Sequence, residues 1–96
     1  MSFSAAQAQD LAMNAFLHVI RQPELIAGFM AATGLKADDL RQLAARPEAG
    51  LQALDFLLED DARVLEAARA IGCRPQDLLA ARVALAGPGS YGWEAG

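Results

Sequence analysis

Three places in this 96-residue chain hold side chains whose chemistry could make a site. His18 is the only histidine, and an imidazole can serve as a general base or a metal ligand near neutral pH. Cys73 is the only cysteine, and a thiol beside Arg74 at a helix start could be activated as a nucleophile. Glu59-Asp60-Asp61, with Asp55 one turn earlier, is the densest acidic cluster, able to hold a cation or supply an acid. Each also has a plainer reading. His18 shares a polar stripe with Asp10 and Asn14, which reads as solvated helix surface, and an ordinary zinc site needs three or four ligands. Cys73 stands where a small buried hydrophobe would suffice. An Asp at a helix start caps free N–H groups, and Glu59 can pair with Arg63 across one turn. The calcium-loop spacing around a central glycine is absent. The sequence therefore assigns no catalytic residue, no metal and no cofactor.

Charge narrows the partners. Twelve acids face eight bases, for a net charge of −4, which disfavours unassisted binding to nucleic acid or anionic lipid. Residues 37–59 can be read as a helix-turn-helix, but residues 47–59 would then be the recognition helix. That segment holds Glu48, Asp55 and Glu59 and no cation, so phosphate would repel it. The other arginines alternate with acids: Asp38 with Arg41, and Glu66 with Arg63 and Arg69. A membrane role is not expected either, because the first helix carries Asp10 and a single arginine rather than a basic face. Met1-Ser2-Phe3-Ser4-Ala5 lacks a basic n-region and a long apolar stretch, so no secretory leader is expected and the cytoplasm is the expected compartment.

The elements that would position these residues are helical. Alanine occurs 22 times and leucine 14 times, both strong helix formers, while only 6% of residues are aromatic. Ile, Val and Thr are scarce, which argues against strands. Pro23, Pro47 and Pro75 each read as a helix start, where the missing N–H goes unbonded anyway. Gly34 and Gly72 read as stops that take the left-handed conformation. The spacing predicts six helices over 5–21, 23–33, 37–45, 47–59, 61–71 and 75–86. In the first, Gln7, Asp10, Asn14, His18 and Arg21 form the polar stripe. Leu11, Ala12, Ala15, Phe16, Val19 and Ile20 lie opposite. In the fourth, Glu48, Gln52, Asp55 and Glu59 face out, and Leu51, Leu54, Leu57 and Leu58 face in, flanked by Phe56. The expected fold is an all-α compact bundle of five to six short helices. Residues 1–86 form the domain, and residues 87–96, rich in glycine, form a flexible C-terminal tail.

The chain also echoes itself. At an offset of 38 residues, the step from Gly34 to Gly72, Ala32-Thr33-Gly34-Leu35-Lys36-Ala37-Asp38-Asp39-Leu40 lies over Ala70-Ile71-Gly72-Cys73-Arg74-Pro75-Gln76-Asp77-Leu78. In both copies an apolar residue after the glycine can pack on the leucine five positions later, a hydrophobic staple. Upstream, Ala15 matches Ala53, and Val19-Ile20 lies over Leu57-Leu58. The pattern reads as two three-helix halves, either an old duplication or two uses of one turn.

The run Pro23-Glu24-Leu25-Ile26-Ala27-Gly28-Phe29-Met30-Ala31-Ala32-Thr33-Gly34-Leu35, with Leu54-Asp55-Phe56-Leu57-Leu58-Glu59-Asp60, resembles a family of small bacterial helical proteins catalogued as domain of unknown function 3572. The likeness spans about residues 10–86 and rests on core and punctuation. It implies the helical fold and brings no catalytic residues. Acids common in that family before the helix-start prolines are replaced here by Arg46 and Arg74, and Lys36 precedes an alanine.

Two features point to a partner. After Glu24 the second helix has no charge until Lys36. Either it is buried all round, or Ala27, Gly28 and Ala31 form a face for a protein partner or a second copy of the chain. In the tail, Tyr91 and Trp93 could form a short recognition peptide or fold back over an apolar seam. The expected function is a non-catalytic protein-interaction module or small regulatory adaptor. The alternative is a small-molecule-binding or enzymatic domain, and its mark would be titratable side chains from different helices meeting in one pocket.

Overall fold

A computed structural model describes residues 4–86, which form six helices and no strand: α1 (Ala5–Arg21), α2 (Pro23–Thr33), α3 (Ala37–Ala44), α4 (Glu48–Leu58), α5 (Asp61–Ile71) and α6 (Pro75–Ala86). Local chemistry explains the ends. Ser4 caps α1 in a reciprocal capping box with Gln7, and the Asp60 carboxylate accepts from the Ala62 N–H at 2.8 Å to open α5. Gly34 and Gly72 close α2 and α5 at φ 75° and 86°, a conformation strained for any residue with a Cβ. Lys36 and Arg74 cannot accept a hydrogen bond from the first helical turn, yet α3 and α6 start cleanly. In each, the acid three residues on accepts the cap's own N–H, Asp39 at 2.9 Å and Asp77 at 3.0 Å. Pro47 is the exception among the prolines. It sits one residue before α4 rather than inside it, because Arg46 and Ala49 close a tight turn around it.

The two halves repeat in three dimensions. The 38-residue step carries α2 onto α5, both 11 residues long and both closed by a left-handed glycine. It also carries Ala12 onto Gly50, and these two positions touch. A Cβ placed on Gly50 would lie 2.5 Å from the Ala12 Cβ and 2.8 Å from its carbonyl carbon. Two equivalent residues meeting each other is what a two-fold relation between halves produces. Glycine is required there because α1 and α4 cross backbone against side chain. Helices α1 and α4 bury Ala8, Leu11, Ala12, Ala15, Phe16 and Val19 against Ala49, Ala53, Leu54, Phe56 and Leu57. Phe29 from α2 joins Phe16 and Phe56 edge-to-face, with ring centroids 6.4 and 5.5 Å apart.

The symmetry breaks at the third helix of each half. Among the described residues, helix α3 packs on α4 alone, whereas α6 packs on α1, α4 and α5. Arg82, the only charged side chain of α6 after Asp77, turns inward, and its Nε donates to Asp55 at 2.6 Å. The Asp55 expected on the outer face of α4 is thus drawn into a partly buried ion pair. Leu79 points outward instead, 38% exposed.

Helix α2 is not buried all round, although it lacks charge beyond Glu24. Phe29 is its only fully buried residue; Leu25, Ile26, Gly28 and Met30 are half-buried, and Ala27, Ala31 and Ala32 are exposed. The missing charge therefore marks an apolar surface, not an internal helix.

Candidate functional site

His18 lies near the end of α1, one turn from the point where the chain bends into α2. Its place on the polar stripe predicts a solvated ring, and the structure corrects this. The residue is half-buried, and Nε2 is shielded from solvent with no hydrogen-bond partner among the described residues. The start of α2 and the outer face of α5 rise beside it. Together they enclose a groove of about 540 Å³ lined by His18, Gln22, Glu24, Leu25, Glu66 and Arg69, among others. A second recess of about 320 Å³ shares His18 and Gln22 and adds Asn14 and Arg21.

This convergence was not readable from spacing, since Glu66 and Arg69 come from α5, more than 40 residues beyond His18 and Glu24. Glu66 does not engage Arg63 or Arg69. Arg63 turns the other way, stacking 4.0 Å over the Phe56 ring, donating to the Phe56 carbonyl at 3.1 Å and lying 3.9 Å from Glu59. Among the described residues, none of Arg21, Glu24, Glu66 and Arg69 forms an ion pair with another.

The repeat explains why there is room. The 38-residue step carries His18 onto Phe56 and Glu66 onto Gly28. At the second location Phe56 fills the space. Its ring lies where a Cβ on Gly28 would be 3.3 Å away, and Phe29 closes the back. At the first location Ala67 replaces Phe29 and His18 replaces Phe56. A smaller residue and a polar ring leave a groove where the other half has an aromatic cluster. The outer recesses also match: Asn14, Leu17, His18, Arg21, Ala70 and Ile71 on one side, and Gln52, Asp55, Phe56, Glu59, Ala32 and Thr33 on the other.

The other sequence candidates fall as follows. Ala27 and Ala31 are exposed on the outer face of α2, whereas Gly28 faces inward to Phe56. Tyr91 and Trp93 lie outside the described residues. Cys73 is half-buried, and desolvation together with the Asp77 charge pushes its thiol above the ordinary range, the opposite of an activated nucleophile. Asp60 of the acidic cluster is spent on capping α5. Among the described residues, no three His, Cys, Asp or Glu side chains gather as a metal ion would need, and no helix is long and apolar enough to cross a membrane. Asp77 accepts from both the guanidinium and the backbone of Arg74, which hold its carboxyl below the usual range.

No curated protein and no solved structure is matched by the chain. A family model described as "Protein of unknown function (DUF3572)" matches residues 5–88, from the first residue of α1 to just past the last of α6, and the chain belongs to that family.

Proposed function

We propose that this domain is a non-catalytic protein-interaction module, acting as a small adaptor, and that its partner lies along the outer face of α2. One observation carries the reading: a helix with no charge after Glu24 buries a single residue, Phe29, and leaves Ala27, Ala31 and Ala32 exposed. Small side chains on an outer face let a second helix approach to backbone distance, and an apolar strip left in water invites such cover. The raised Cys73 thiol and the use of Asp60 as a cap weigh against these two groups as catalytic ones.

Ala31→Glu is the direct test. Because Ala31 is exposed, the variant should keep its helicity and change stability by less than about 0.5 kcal/mol. It should also lose a near-stoichiometric partner that the intact chain retains from a native cell extract. A chain ending at Ala86 run in parallel places the contact: retention on it assigns binding to α2, and loss assigns it to Tyr91 and Trp93. Equal capture by the intact chain and Ala31→Glu would remove α2 as the docking face.

A further inference from the structure

We infer that the His18 groove binds a small zwitterion of free amino-acid size, its ammonium held by Glu24 and Glu66 and its carboxylate by Arg69. The inference stands apart from the α2 face and does not depend on a protein partner.

Two observations lead there. The groove's volume of about 540 Å³ lies within the roughly 300–1,000 Å³ of small-molecule sites. Its charges are of both signs, come from α2 and α5, and are committed to no ion pair among the described residues. The repeat adds that this polarity is local. At the equivalent place, the structure holds Gly28, Ala31 and Phe56 where the groove holds Glu66, Arg69 and His18.

The sign of the lining chooses the ligand. A simple anion drawn to Arg69 would meet Glu24 and Glu66, and a simple cation drawn to those carboxylates would meet Arg69, with Arg21 in the adjoining recess. A molecule carrying one group of each sign satisfies both. Leu25 and Pro23 give the groove an apolar wall for whatever side chain such a ligand bears.

His18 being the only histidine makes the test clean, because the full chain gives one imidazole Cε1–H signal in a carbon–proton correlation spectrum. The chain would be titrated with each standard amino acid, and with acetate and methylammonium as single-charge controls. The expected result is a saturable shift with at least one amino acid, at least tenfold tighter than with either control. Glu66→Gln and Arg69→Gln should each weaken that binding about tenfold, with circular dichroism unchanged because both positions are exposed. Arg41→Gln, on α3, should leave it untouched. No saturable shift up to roughly 10 mM of any amino acid would overturn the proposal. So would shifts by acetate or methylammonium alone that equal those of the zwitterions, a comparison that needs no variant.

Discussion

The two halves of this molecule place their first two helices in the same relation and then finish them with opposite chemistry. On one side Phe56, Gly28 and Phe29 make a dry aromatic cluster roofed by Arg63. On the other, His18, Glu66 and Ala67 stand at the matching positions and leave a charged groove. At these matching positions the backbone plan is shared, so the difference there lies in a few side chains. The Phe56 side adds apolar area to the core, whereas the His18 side keeps a polar atom buried with no partner among the described residues. A repeat lets one copy carry stability while the other is released from it.

The comparison can be broken most severely on the aromatic side. Phe29→Ala makes that side as small as its mate and removes two edge-to-face contacts at once, and it should cost about 3–5 kcal/mol in urea unfolding. Removing Asp55 strikes the same half through charge. Asp55→Ala removes one carboxylate from the buried Arg82 guanidinium, for an expected loss of about 2 kcal/mol. That is less than for a fully buried pair, because the Asp55 side chain is 43% exposed. Arg82→Met in the same chain should recover part of the loss.

On the polar side the sign reverses. His18→Phe should raise stability by about 1 kcal/mol, since it deletes an unpartnered buried nitrogen and extends the core into the groove. The same variant should lose any amino-acid binding. The smallest effect is expected at the helix starts, where Asp77 and Asp39 are mates. Arg74 forks onto Asp77 and depresses its carboxyl, so the folded state holds this proton less tightly than the unfolded chain does. The associated stability is present above the ordinary carboxylate range and is lost as the pH falls through the lowered value. Asp77→Asn should flatten that acid-side loss in thermal melts across pH.

The repeat and the helix ends were legible because they are written in local chemistry. Proline, glycine and capping side chains act within one turn of themselves, and five of the six expected starts and both glycine stops match the structure. The family resemblance rested on the same core and punctuation residues. What could not be read was set by neighbours far along the chain. His18 belongs to a polar stripe, and only the approach of α2 and α5 turns that stretch of surface into a half-buried wall. Arg82 breaks the apolar pattern of α6 because its partner Asp55 lies on α4. For α2, absence of charge was compatible with burial or with an open face, and only the positions of α1 and α4 decide between them.

The contact between Ala12 and Gly50 has a consequence for how the molecule comes apart. Each half looks like a unit in sequence, yet its largest apolar face is finished only by the other half: Phe29 is sandwiched between rings from α1 and α4, and α6 lies across both of those helices. Cutting the chain in the turn at 45–47 should therefore yield two fragments that are unstructured alone and regain helicity when mixed. The intact chain should melt in one step, because neither half has a core of its own to keep.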